Sequence, residues 1–319
     1  MSKLIAIVLS LLASAHSALA QTYPSKPIRW IVPFTAGSTS DTVCRTLQPE
    51  LSRLLGQTVV IENRPGAGGS LGTTEGAKAA PDGYTLTYAS SSAFAANVHL
   101  MRLAYQPAED FAPVSMIGAT PYVLVAHPSV AANTALELIA LAKANPGKLS
   151  YASPGNGTGS HLSMESFKAS TKTDIRHIPY KGSSPAVADL LAGHVQLLFE
   201  PVASVGSHVK SGKLKALAVG SDKRIANLPD VPTFVESGVP EFEPVLGWFG
   251  AAVPTSTPPE IVAKLNAAFV TALNTVKARL TEEHGIIVMP TTPEKFGAFI
   301  RSEIPRFGKI IAVSGTKLD

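Results

Sequence analysis

Short apolar runs rich in β-branched residues alternate along the chain with longer segments whose apolar positions recur every three or four residues. That pattern predicts a mostly parallel sheet covered by helices. IRWIVPF (28–34) predicts a strand, followed by a loop of small residues and a helix from about Asp41 to Leu55. TVVIEN (58–63) predicts a second strand, and in PDGYTLTYA (81–89) the Asp82-Gly83 turn feeds a third. Two adjacent apolar runs within 113–127 are split by Ala119-Thr120-Pro121. After Pro128 the alternation restarts, with a helix over 134–144, a strand over 148–153 and a helix from Ser160. A strand over 175–179, a helix over 185–192 and strands over 195–200 and 214–219 follow. The proline-rich stretch 228–244 reads as an irregular connector. In 261–280, Ile261, Leu265, Phe269, Leu273, Val276 and Leu280 form one helical stripe, which core packing explains.

The restart near 120 and a return near 245 divide the chain. Residues 21–120 with 246–319 would form one α/β lobe and 121–245 a second, with a hinge and a cleft between them. Residues 1–20 read as a cleavable secretory signal peptide. Lys3 precedes an apolar run from Leu4 to Leu12, and Ala18-Leu19-Ala20 is a small-x-small cleavage site. That run is too short to span a bilayer. The expectation is an exported protein, in a compartment where nucleotide cofactors are not normally at hand.

Charge changes this picture little. The formal net charge of +4 becomes +3 without Lys3, the only charged residue in 1–20, and the basic residues are scattered. Nucleic-acid binding therefore has weak support. Cys44 is the single cysteine, so no intramolecular disulfide forms, and its apolar neighbours Val43 and Leu47 predict a buried side chain.

Candidate chemistry lies in three strand–loop–helix segments: PFTAGSTSD (33–41), SPGNGTGSH (153–161) and YKGSSPA (180–186). In open α/β sheets ligands sit beyond the carboxyl ends of the strands, where these loops fall. A helix start there offers free N–H groups and the positive end of the peptide dipole. Glycine admits close approach, and serine and threonine add small donors. The loops thus suit a small anion, most plausibly a carboxylate, at roughly 1.5–3 kcal/mol per charge-assisted hydrogen bond. Each loop alone reads equally well as an ordinary capped turn. Asp41, in a first helical turn, would order the loop before it and not meet an anion directly. His161 would either bond a ligand or pack on its own helix. Glu200, ending a strand, would accept a ligand ammonium or hydroxyl, or else be a hinge carboxylate.

Rival motifs fare worse. Gly155, Gly157 and Gly159 lack the last glycine of the dinucleotide fingerprint, and no phosphate-loop motif occurs. The histidines contain no H-E-x-x-H pair, so no metal or other cofactor is expected. Gly68-Gly69-Ser70-Leu71-Gly72 spells the serine-hydrolase G-x-S-x-G, but NRPGA separates Ser70 from the preceding strand. A secreted serine hydrolase using Ser70 is the alternative reading.

PFTAGSTSD, VVIENRPGAGGSLGTTEGAKAAPDGYTL, YASPGNGTGSHL, HIPYKGSSPAVADLLAGHVQLLFE, GKLKALAV and LPDVPTFVESGVPEFE occur in this order across the chain. Together they resemble the solute-binding receptors of tripartite tricarboxylate transporters, the Bug receptors. The resemblance implies a periplasmic, two-lobed clamshell of Venus-flytrap type, acting as a monomer. It would close on a small organic acid, partly through bound water, and deliver it to two membrane permease subunits. It points to the Thr35–Thr39 loop, with Gly37 and Ser38; to Ser90, Ser91 and Ser92; to the Ser153–His161 loop, with Gly157, Thr158, Gly159 and Ser160; and to Tyr180–Ser184, with Lys181, Gly182 and Ser183, while Asp41 and Glu200 join the candidate site from the reading of the residues alone. Ser38 stands where the family usually has a second glycine, Gln196 where aspartate is common, and Phe307 where tryptophan is common. If position 38 needs a positive φ, the serine there costs about 1 kcal/mol.

Overall fold

The computed structural model describes residues 23–242 and 245–316, so the expected signal peptide lies outside the described residues. Strand β1 (Ile28–Val32) leads to helix α1 (Thr39–Leu55), β2 (Val59–Asn63), α2 (Ser70–Ala77) and β3 (Thr85–Ser90). Short helical turns at Ser92–Ala96 and Asn97–His99 precede β4 (Phe111–Thr120) and β5 (Tyr122–Ala126). Then come α3 (Ala135–Ala144), β6 (Ser150–Ser153), α4 (Gly159–Thr171), β7 (Arg176–Pro179) and α5 (Ser183–Leu191). The chain continues through β8 (Leu197–Pro201), α6 (Val202–Lys210), β9 (Lys215–Val219), β10 (Gly247–Pro254), α7 (Pro259–Glu282), β11 (Ile287–Val288) and α8 (Pro293–Ser314).

The strands form two sheets, ordered β11-β4-β10-β3-β1-β2 and β7-β6-β8-β5-β9. In the first, β1 to β4 point one way, and β10 and β11 run against them. In the second, β6 to β9 share a direction and only β5 opposes it. The reversed strands β5 and β10 are those by which the chain enters one sheet and returns to the other. Only Pro121 separates the end of β4 from the start of β5. Proline cannot donate to a ladder, so pairing stops there and the chain changes sheet. Because β5 opposes its neighbours, it starts at their carboxyl edge. The carboxyl edges of both sheets therefore meet at one seam.

Local sequence explains the main helices. The Ser38 side chain caps α1 by accepting from the Asp41 N–H, and Gly56 closes the helix in the left-handed region. In α7, Pro259 opens the helix, and Leu265, Phe269, Leu273 and Leu280 from the expected stripe are buried. Phe269 meets Trp30 of β1 edge-on at 5.2 Å. Helix α8 escapes the sequence pattern because Gly297, Pro305 and Gly308 interrupt it. Its apolar face, Phe296, Ile300, Phe307 and Ile311, nevertheless keeps helical spacing and is buried. Phe307 is fully buried, so it fills a core position.

The stretch over 228–244 does more than connect. It contributes Phe234, Val239 and Phe242 to the core of the second sheet. Phe234 stacks on Phe199 at 5.7 Å and meets Phe242 at 4.3 Å and Phe167 at 5.9 Å. Removing a ring from such a cluster forfeits its transfer energy and leaves a cavity. Phe234→Ala is expected to lower stability by about 3–5 kcal/mol, read as a shifted urea midpoint in far-UV circular dichroism.

Candidate functional site

Each expected loop leaves the carboxyl end of a strand and enters a helix: β1 to α1, β6 to α4, β7 to α5. Ser38 does not need a positive φ. It is extended at φ −72°, so the serine replaces glycine without strain and its hydroxyl caps α1. Thr158 caps α4 in the same way, accepting from the His161 N–H.

These helix starts converge on a crevice at the seam. From the first lobe it is lined by Ser38, Thr39 and Ser40, by Ser90, Ser91 and Ser92, and by Thr120. From the second come Tyr122, Thr158, Gly159, Ser160, Ser183 and Glu200. Phe34, Tyr88, Trp248 and Phe249 supply an aromatic wall, and Pro154, Pro201 and Gly247 complete the lining. The cavity measures about 60 Å³. It suits a small molecule. Among the described residues, no lysine, arginine or histidine belongs to this lining.

The expected site residues thus split into two groups. Ser38, Thr39, Ser90, Ser91, Ser92, Thr158, Gly159, Ser160, Ser183 and Glu200 are brought together in the crevice. Thr35, Gly37, Asp41, Ser153, Gly157, His161, Tyr180, Lys181 and Gly182 stand outside it.

Several of the second group have structural partners. The Asp41 carboxylate accepts from the Gly37 N–H at 2.9 Å, from Arg45 Nε at 2.9 Å and from Asn63 Nδ2 at 3.1 Å. Burial raises its pKa, but the bonds from Arg45, Gly37 and Asn63 outweigh that and hold it below the usual carboxylate range. Asp41 thereby fixes the loop over 35–40. Thr35 lies on the seam instead, where its hydroxyl is 3.4 Å from that of Ser184. Ser184 Oγ donates to the Ala36 carbonyl at 2.8 Å, and Thr39 Oγ1 lies 2.8 Å from Ser204 Oγ. The lobes touch through these hydroxyls.

His161 Nδ1 accepts from the Gly157 N–H at 3.1 Å, and its ring stacks on His177 at 4.3 Å. His177 stacks in turn on Tyr151 at 4.6 Å, and its Nε2 lies 2.6 Å from Ser153 Oγ. Ser153 Oγ also accepts from the Gly155 N–H at 3.2 Å. The two histidines brace the glycine loop from behind. Tyr180 bonds Asp189 at 2.6 Å.

Glu200 is fully buried. Its Oε2 accepts from Ser160 Oγ at 3.2 Å, and Oε1 accepts no hydrogen bond within the described residues. Burial pushes its pKa up to about 7, with the nearby hydroxyls of Ser183, Ser160 and Ser204 offsetting part of the effect.

Sequence reasoning missed Tyr122 and the aromatic wall, because strand ends at a change of sheet show no motif. Gly159 carries a signal only in hindsight: a Cβ there would lie 2.2 Å from the Tyr122 hydroxyl. Only glycine leaves room for that ring.

Ser70 opens α2 and is not a nucleophile elbow on a strand. Its hydroxyl accepts from Asn97 Nδ2 at 2.8 Å and points toward Met101 Sδ at 3.7 Å, with no histidine among its described partners.

The sequence profile described as the tripartite tricarboxylate transporter family receptor matches residues 43–316. The chain belongs to that family. Protein BugT of Bordetella pertussis is 41% identical over 324 residues, covering 100% of this chain and 99% of BugT. Among solved structures, a periplasmic transporter is 40% identical with a TM-score of 0.89, covering 93% of this chain and 100% of its own. Rpa4515 of R. palustris, solved with adipate, is 34% identical with a TM-score of 0.87, covering 92% and 98%. MatC from Rhodopseudomonas palustris, with bound malate, is 34% identical with a TM-score of 0.86, covering 91% and 100%. The family and fold are those of periplasmic, non-enzymatic solute-binding receptors of the Bug type, and the hydrolase alternative gains no support.

The stacked histidines of this receptor make stability depend on pH. Burial lowers the pKa of His161 to about 4, with Lys168 adding to the effect. Burial likewise lowers that of His177 to about 3, with His161 the next contributor. The unfolded chain, titrating near 6.5, therefore binds more protons than the folded one below that pH. The histidine contribution to stability is expected to fall as pH drops from about 6.5 towards 3, most steeply per pH unit where both histidines are still neutral in the folded state, and to level off only below the folded pKa of His177. His161→Gln, whose amide oxygen can still accept from Gly157, should flatten that slope in denaturant midpoints taken across the window.

Proposed function

We propose that the crevice captures a small organic carboxylate in the periplasm and passes it to the two membrane permease subunits of a tripartite tricarboxylate transporter. One observation carries the reading. The starts of α1, α4 and α5 converge with small hydroxyls on a confined space whose described lining holds no side-chain cation. An anion there is met by backbone N–H groups, the positive ends of helix dipoles and neutral donors. The adipate and malate held by its structural relatives are acids of this kind.

The lobes, 21–120 with 246–319 and 121–245, turn about the two crossings beside Pro121 and Gly247. A carboxylate hydrogen-bonded from both sides binds the closed arrangement more tightly than the open one, and so selects it. Bound water fills the space left by the shorter acids. The receptor acts as a monomer, because each copy holds a complete crevice.

Thermal unfolding of the mature protein against small mono- and dicarboxylates tests the reading. A cognate acid at 100 times its Kd is expected to add about 2.7 kcal/mol of stability. A panel without any shift, beside a clear shift with a sugar or a metal cation, would refute it.

Gly159→Ala places a methyl group against Tyr122, which the crevice cannot absorb without moving that ring. Affinity for the cognate acid is expected to drop tenfold or more in isothermal titration calorimetry.

A further inference from the structure

Glu200 is out of keeping with an anion site. Among the described residues it is the only carboxylate side chain in the crevice lining, and none of them supplies a side-chain cation there to balance it. Its other ionisable neighbour is the Tyr122 hydroxyl, whose pKa is raised by burial and then by Glu200 itself. Hydroxyls from the first turns of α4, α5 and α6 (Ser160, Ser183 and Ser204) gather around the carboxyl group. Those helix starts hold Glu200 in place much as they would hold a bound acid. Even so, Oε1 stays buried without a hydrogen bond among the described residues. An unbonded buried carboxylate oxygen is costly, and the Ser183 and Ser204 hydroxyls stand close to the carboxyl group without making a well-formed bond to Oε1, which leaves room for a better donor.

We propose that Glu200 is the specificity determinant of the crevice, and that it selects carboxylates which also carry an ammonium group. The proposal rests on the carboxylate reading above and narrows it. A ligand carboxylate at the starts of α4 and α5 lies beside Glu200, which would place two negative charges in one small space. A ligand hydroxyl would satisfy Oε1 but leave both charges standing. An ammonium does both tasks: it donates to Oε1 and separates the two carboxylates with a positive charge. The ligand's carboxylate is then free to reach the α1 start and the hydroxyls of Ser90 to Ser92 across the seam.

Two matched sets of ligands test this: butyrate, 2-hydroxybutyrate and 2-aminobutyrate; and succinate, malate and aspartate. Calorimetric titrations at pH 7.5 are run on wild type and on Glu200→Gln, with circular dichroism to verify folding. In at least one set the amino member is expected to bind wild type ten times or more tightly than its partners. In Glu200→Gln that preference should collapse, the amino member losing tenfold or more while the unsubstituted member gains. If Glu200→Gln fails to fold, Glu200→Asp keeps the charge but withdraws it, and should still weaken the amino member severalfold.

An unsubstituted acid that binds wild type as well as its amino counterpart, with protons taken up in buffers of different ionisation enthalpy, would overturn the proposal. Glu200 would then serve as a protonated donor. An amino preference that survives Glu200→Gln overturns it too. If neither protein binds any member of either set, the carboxylate reading itself fails, a result separable from a failed preference among acids that do bind.

Discussion

The structure depends on one constraint: two α/β sheets must present their carboxyl edges to each other. That follows from how the chain changes sheet. With a single proline between β4 and β5, the second sheet begins where the first one ends. The reversal of β5 against β6 to β9, and of β10 against β3 and β4, then brings the βα loops after β1, β2, β6, β7 and β8 to the same seam, while the loops after the reversed strands leave from the far edges. A longer link at Pro121 would leave the loops the same sequence and remove their common focus. Chemistry in the crevice is a result of topology before it is a result of any side chain.

Within that frame, the anion-binding elements are cheap to encode and hard to see. A helix start needs only a capping hydroxyl and small neighbours, so its sequence signature resembles that of any capped turn. Ser38 shows how little separates the two. It caps α1 with its hydroxyl, as thousands of turns do, and in the same place lines the crevice. What separates a binding loop from an ordinary turn is convergence, which is a property of the fold.

This explains which parts of the molecule were legible. The α/β class, the change of sheet near 120 and most helices followed from periodicity and punctuation. Helix α8 was hidden because Pro305 and two glycines break a pattern that its buried face otherwise keeps. In the loops, the residue types were readable but their directions were not. Neighbours along a turn face opposite ways, so Thr158, Gly159 and Ser160 reach the crevice, while Ser153, Gly157 and His161 form the support behind it. Asp41, counted among the candidate site residues, is instead bonded to Gly37, Arg45 and Asn63 and orders the first loop, the role that charge repulsion and the helix dipole argue for. Tyr122, Trp248 and Phe249 gave no local sign at all. They belong to crossing strands, and only strand register brings them to the cavity.

The contacts at the seam bear on how such a protein responds to its ligand. The lobes meet through small neutral groups: Ser184 with the Ala36 carbonyl, and Thr39 with Ser204. A hydroxyl hydrogen bond contributes a net of about 0.5–1.5 kcal/mol, since water offers the same bond in an open arrangement. A few of them hold the lobes together without deciding the matter. Helix α8 adds a steadier link, because it packs against β4 and α4 alike and is anchored where Trp248 donates to Glu303 at 2.8 Å. The molecule thus combines the packing of α8 across both lobes with weak hydroxyl contacts between the lobes. In such a balance, a ligand bonded from both lobes needs only a few kcal/mol of preference to set the population, since 1.4 kcal/mol shifts an equilibrium tenfold. Strong ion pairs across the seam would have closed it without a ligand, which is why neutral serines and threonines are the residues suited to this role.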